Sequence, residues 1–159
     1  MRALGQVRSR WEGVKGQVGE VAGFVDGGLE ELEERMRQFE GGGLVASHND
    51  ICWDNWLLAE DGRIFVLDLD DMGLDDPALD VGITLWWYYA PEVWGRFIGC
   101  AGYEDDEGFR ERMWVRIALH CLSIVLPRVG SFDQFDGEGF AGRLRDFRAA
   151  LAGEGNPEM

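Results

Sequence analysis

No stretch of this 159-residue chain is apolar for long enough to cross a bilayer. The best candidate, Val81 to Ala90, is about half of the roughly 20 residues that a spanning helix requires. The first residues are charged and polar and lack the apolar core of a secretory leader. A soluble, cytoplasmic protein is expected. Cysteine is sparse: Cys52, Cys100 and Cys121 are widely spaced, with no Cys-x-x-Cys pair. That odd count argues against a disulfide framework and the spacing against a zinc knuckle, which leaves free thiols, buried or half-buried. Lysine is nearly absent, Lys15 being the one example, and 30 acidic residues against 15 basic ones give a formal net charge of −15. Nucleic acid and anionic membrane both demand a basic footprint, so neither is expected as a partner. The same balance suits a cationic substrate or a bound divalent metal, and it equally keeps a protein soluble. Internal repeats and low-complexity linkers are also missing.

What the chain does have is core-forming material: 46% apolar residues, with seven Trp and nine Phe, enough for one domain. Leu4, Val7, Trp11, Val14, Val18, Val21 and Val25 recur at helical spacing. Asp26-Gly27-Gly28 is expected to break that helix, and a second, through Leu29, Leu32, Met36 and Phe39, is expected to stop at Gly41-Gly42-Gly43. Leu44-Val45-Ala46 is a short apolar step. Trp56 to Ala59 and Arg63 to Leu67 are strand-like, and the Asp61-Gly62 signal between them predicts a hairpin. Asp76-Pro77 opens a helix over Ala78 to Tyr89, apolar nearly all round and therefore buried. Further helices are expected over Pro91 to Cys100, Phe109 to Leu126, and through Phe140, Leu144, Phe147 and Leu151. Residues 153–159 read as a frayed tail. The aromatic run Trp86 to Tyr89 is expected as core, with an aromatic cage for a quaternary amine as the alternative. His120 is expected to be a packed histidine.

The polar chemistry gathers around the hairpin. Asp50, Asp54, Asp68, Asp70, Asp71, Asp75, Asp76 and Asp80 are hard to explain as core. Asp68 follows the apolar run Ile64 to Leu67, at a strand end, and Asn55 precedes the partner strand. Pairing the strands brings Asn55 and Asp68 to one end, where a carboxylate and an amide oxygen suit Mg²⁺. Asp50, on the loop entering the hairpin, is placed to accept the proton of an attacking hydroxyl. A base Asp, a metal-binding Asn and a metal-binding Asp beyond a hairpin are the parts of a kinase catalytic loop.

His48-x-Asp50, followed after four residues by Asn55, resembles the catalytic loop of aminoglycoside phosphotransferases and of choline and ethanolamine kinases. His48-Asn49-Asp50 has the choline kinase wording. The run Val66 to Gly82, with Asp68-Leu69-Asp70 and Asp76-Pro77-Ala78-Leu79-Asp80, resembles the family's metal loop and the helix start after it. The resemblance implies an α+β, mainly α fold: a protein-kinase-like C-terminal lobe with helices around a short β-hairpin. It implies that Asp50 is the base, that Asn55 and Asp68 hold Mg²⁺, and that Asp70 supports them or holds a second ion. Asp80 and His48 would brace the loop. ATP would be the phosphate donor and a hydroxyl of a small molecule, cationic or neutral, the acceptor.

Full-length members place a nucleotide lobe before this region, with a sheet, a phosphate-covering loop and a lysine on the phosphates. Here residues 1–43 read as a helical segment packing on the lobe, 44–152 as the catalytic lobe and 153–159 as the tail. Lys15 falls on a predicted helix, and Gly41-Gly42-Gly43 lacks the Lys-Ser or Lys-Thr of a P-loop. The expectation is therefore a C-terminal lobe whose N-terminal nucleotide lobe is missing, with no ATP-contacting residue identifiable and a partner chain as one source of that lobe. Cys52 and Trp53 stand where relatives often carry other residues. Two alternatives remain: a truncated, non-catalytic relative that binds a ligand or partner, and a haloacid-dehalogenase-like phosphatase with Asp68 as nucleophile and Asp70 as general acid/base.

Overall fold

The computed structural model describes residues 2–39, 43–128, 130 and 135–159. Its first helix, α1 (Arg2–Glu12), buries Leu4, Val7 and Trp11. It ends well before the expected break. Two 3₁₀ turns follow, at Lys15–Gln17 and Gly19–Val21, and α2 (Ala22–Arg37) then runs straight through Asp26-Gly27-Gly28. The reason is tertiary. Gly13, Gly16 and Gly19 weaken the first segment, each costing a helix about 1 kcal/mol relative to alanine. Gly19 also has a left-handed φ of +58°. Gly28 is kept helical by close packing: a Cβ there would lie 2.8 Å from Phe147 Cζ. Asp26 accepts a hydrogen bond from Trp11 Nε1 at 2.7 Å. The stop expected at Gly41-Gly42 lies outside the described residues, and α2 ends before it.

The chain continues through β1 (Val45–Ser47), β2 (Trp56–Leu58), β3 (Ile64–Val66) and β4 (Gly73–Asp75). The predicted hairpin is β2–β3, antiparallel, with Trp56 opposite Val66 and Leu58 opposite Ile64. Gly62, at φ +83°, takes the conformation its turn needs, and Asp61 accepts from Arg63 N at 3.1 Å. A second pair, β1–β4, sets Val45 opposite Asp75 and Ser47 opposite Gly73. Short antiparallel sheets among helices make this an α+β protein, mainly α.

The helices α3 (Ala78–Tyr88), α4 (Trp94–Cys100), α5 (Glu107–Val125), α6 (Phe140–Arg143) and α7 (Arg145–Leu151) complete it. The single helix expected from Phe140 to Leu151 is thus two, separated by a tight turn in which Leu144 N–H bonds to Ala141 O. Asp76 accepts the Ala78 N–H at the start of α3, as a helix-opening carboxylate should. Asp106 caps α5 through the Phe109 N–H.

Helix α5 is the spine. It packs on α1, α2, α3 and α7, and Met113, Val115, Ile117, Ala118, Cys121 and Leu122 are buried along it. Trp86 and Trp94 are buried against Trp114, with ring centroids 6.2 and 5.1 Å away. Two ion pairs fasten the aspartate-rich segment to this spine: Arg116–Asp75 at 2.7 Å and Arg112–Asp76 at 2.9 Å, all four side chains at most partly exposed. Within residues 153–159, Asn156 is buried and donates to Trp86 O at 3.1 Å. No described helix is long and apolar enough to cross a membrane.

Candidate active site

The loop from Ser47 to Asn55 is held by one half-buried anchor. The Asp80 carboxylate, in the first turn of α3, accepts the backbone N–H groups of His48 (2.6 Å) and Asn49 (3.0 Å). Hydrogen bonds to an ionised acceptor are the strong kind. Asn49 takes a left-handed φ of +66° and its amide donates to Asp71 O at 2.8 Å. His48 Nε2 donates to Leu67 O at 2.8 Å. A carbonyl only accepts, so Nε2 carries a proton. Ser47 Oγ, His48 Nδ1 and Asn49 Oδ1 are buried with no partner among the described residues.

These bonds join the two segments that carry the candidate chemistry. Leu67 N donates to Asn55 O at 2.8 Å, so Asp68 leaves β3 beside the entry to β2. Asp68 is the second non-glycine residue with a left-handed φ, +56°. Asparagine and aspartate are the residue types that tolerate this region best, and such outliers cluster at sites whose surroundings hold them in place. Asn55 donates its amide Nδ2–H to Asp50 O at 2.9 Å. That bond commits the nitrogen and leaves Oδ1 as a free hard-oxygen donor. Asp50, Asp68 and Asp70 are exposed, and none pairs with a described cation. Among the described residues no group of three or more His, Cys, Asp or Glu could hold a metal ion. An ion held by Asn55 and Asp68 would draw its remaining ligands from water and substrate phosphate, which is how Mg²⁺ is usually bound.

Beside Asp50 lies a cavity of about 300 Å³, lined by the Asp50–Trp53 loop and by Ile83, Trp87, Tyr88, His120 and Ile124. Tyr88 Oη accepts the Trp53 N–H at 3.1 Å, tying loop to helix. The aromatic run divides: Trp86 is core, whereas Trp87 and Tyr88 reach the cavity. His120, expected as a packed residue, lines this cavity and also a larger groove of about 890 Å³ bounded by α1, β4 and α5. Burial lowers its pKa from the ordinary histidine value, and the Asp50 charge acts in the opposite sense. Burial pushes the Cys121 thiol well up, so it is inert.

Ile83, His120 and Ile124 were not singled out as site residues from the sequence, and Trp87 was named only within the aromatic run, with a cage as the alternative to core. The available signal was their i, i+4 spacing on α3 and on α5, which fixes a shared face on each helix without saying what that face looks at. Arg112 and Arg116 carried no motif at all. A model of the phosphotransferase enzyme family, the family of the aminoglycoside phosphotransferases, matches residues 2–115. The match spans well over half of the chain, and the chain belongs to that family.

Proposed function

We propose that this member of the phosphotransferase enzyme family transfers the γ-phosphate of ATP to a hydroxyl of a small molecule, with Asp50 as base and Asn55 and Asp68 as Mg²⁺ ligands. The observation that carries the reading is Asn55: its amide N–H is donated to the Asp50 carbonyl, which leaves the amide oxygen free, and its backbone carbonyl accepts the Leu67 N–H, one residue before Asp68. Bound Mg²⁺ would neutralise charge on the phosphate oxygens. The acceptor oxygen forms a bond to the γ-phosphorus, the bond from that phosphorus to the bridging oxygen breaks, and its electron pair stays on the ADP oxygen. The acceptor's proton passes to Asp50. Asp80 and His48 hold the loop through the bonds described above, so that Asp50 stays aimed while the substrates come and go. Asp70 is free to support Asp68 or a second ion. The setting is cytoplasmic, and the strongly acidic balance admits a cationic, choline-like acceptor.

A nucleotide lobe completes this reading, on another part of the same polypeptide or on a separate chain. The support is an apolar surface without cover. Every residue from Glu60 to Met72 is exposed, including Ile64, Phe65, Val66, Leu67 and Leu69, and Trp56, Leu57 and Leu58 opposite them are exposed too. A contiguous apolar patch of this kind marks an interaction site. The same surface favours the second reading, in which this chain alone binds a partner and transfers nothing. The phosphatase alternative has no support from the family match.

Calorimetry with Mg-ATP separates the readings, first on this chain and then with a nucleotide lobe added. Phosphotransfer requires nucleotide binding at micromolar affinity in one of the two states, and turnover that falls ~10²- to 10⁴-fold in Asp50→Ala, the usual range for a lost general base. No nucleotide binding in either state would leave only the binding-module reading.

A further inference from the structure

The cavity beside Asp50 is built with more selectivity than phosphotransfer by itself demands. Two helices line it: Ile83 and Trp87 on α3, His120 and Ile124 on α5. Their approach depends on Gly82, where a Cβ would already lie 3.3 Å from Ile117 Cγ1. The rim is the Asp50–Trp53 loop, closed at one side by the Tyr88–Trp53 hydrogen bond. At about 300 Å³ the cavity is at the low end of the range for small-molecule sites. Among the described residues its lining contains no Lys or Arg, and Asp50 is the one carboxylate. An anionic acceptor would meet Asp50 with no cation to offset it. A polycationic, multi-ring acceptor would find one carboxylate where it needs several. Indole, phenol and branched aliphatic groups instead offer contact to an apolar or aromatic body.

Within this lining His120 stands apart. Its ring lies edge-on to Trp87, with centroids 6.4 Å apart, and no described residue is hydrogen-bonded to its nitrogens. Resting on the phosphotransfer reading for the role of Asp50, we propose that this cavity is the acceptor site. It selects a compact, non-anionic alcohol with an apolar or aromatic body, and His120 positions that alcohol by hydrogen-bonding a second polar group on it. Because burial keeps the imidazole neutral at pH 7, it offers one donor and one acceptor without placing a charge in the cavity.

The test reads binding without ATP or Mg²⁺, on the whole chain. The protein has two histidines, so the ring ¹⁵N resonances of His48 serve as an internal reference for those of His120. The probe is 4-(2-hydroxyethyl)phenol, with glycerol 3-phosphate and kanamycin as the anionic and polycationic comparisons. The probe is expected to shift the His120 nitrogens saturably and to leave His48 in place, and neither comparison compound should do so. By calorimetry, His120→Phe, which keeps the ring and loses its nitrogens, should weaken the probe at least tenfold, and His120→Gln should regain part of that loss. Should His120→Phe not fold, Ile124→Trp, at a position 53% exposed, fills the cavity mouth and should abolish the shift. An absent shift, undiminished affinity in His120→Phe, a shift that survives Ile124→Trp, or saturable binding of glycerol 3-phosphate or kanamycin at His120 each overturns the proposal. A probe that binds as expected but is never phosphorylated with Mg-ATP and a nucleotide lobe present counts against the phosphotransfer reading, and leaves the cavity assignment standing.

Discussion

The tryptophan cluster behind α3 and the β2–β3 hairpin in front of it are made of the same kinds of residue and meet opposite fates. Trp86 and Trp94 are at most 1% exposed, both packed on Trp114. On the hairpin, Leu58 is 70% and Ile64 62% exposed, and both faces of the two strands are open. A lone two-stranded hairpin is marginal in water. This one persists because its base is tied down by the Leu67–Asn55 and His48–Leu67 bonds, and those ties start from Asp80 on a buried helix. The helices hold the fold, and the hairpin spends its apolar residues on a surface that another body can cover.

That contrast can be broken or sharpened by substitution. The largest effect is expected at Trp86→Ala, which should lower the unfolding free energy by about 3–5 kcal/mol, the usual range for an aromatic truncated in a core; urea unfolding followed by far-UV circular dichroism measures it. A loss below 1 kcal/mol would mean that the cluster is not the stabilising half. Next comes Asp80→Ala, which removes two hydrogen bonds to the loop and is expected to cost about 2–3 kcal/mol in total, because the loss is confined to the loop. Hydrogen exchange should show His48 and Asn49 amides losing protection while the α5 amides keep theirs. Loss of protection throughout would erase the distinction between anchored loop and helical core.

A smaller effect comes from pH. The folded-state pKa of His120 lies below its unfolded value, so the unfolded chain binds the extra proton first. The stability gained by keeping the ring neutral is fully present above about 6.5 and is lost as the pH falls through the lower, folded value. The parent should therefore lose stability on acidification more steeply than His120→Phe. Parallel unfolding curves in the two proteins would contradict the sign. Smallest is Leu58→Ser, expected to change stability by less than about 0.5 kcal/mol, as at other exposed positions. Its effect should appear instead as weaker binding of a nucleotide lobe, read by calorimetry.

The family motif and the hairpin that carries it were legible because their information is local. His48, Asp50, Asn55, Asp68 and Asp80 sit at fixed separations around one turn, and the Asp61-Gly62 hairpin and the Asp76-Pro77 helix start punctuate them. The α1–α2 break was misjudged because Asp26-Gly27-Gly28 is a stop signal by propensity, yet Phe147, more than a hundred residues away, needs the space that Gly28 leaves. The β1–β4 pair escaped notice for a similar reason. Its strands are three residues each and are joined by the whole hairpin, so no local alternation announces them.

The sequence by itself determined the family, the order of helices after the hairpin, and which carboxylates and amide gather around it. These follow from spacing along the backbone, which covalent geometry transmits over a few residues. Only the tertiary structure decided that Asp75 and Asp76 are spent on Arg116 and Arg112, that Trp87 faces the site while Trp86 faces the core, and that His120 stands beside Asp50. Each of these depends on how two helices rotate against each other. That rotation is set by side-chain volume at the contact, here by the missing Cβ of Gly82, and periodicity along either helix leaves it free.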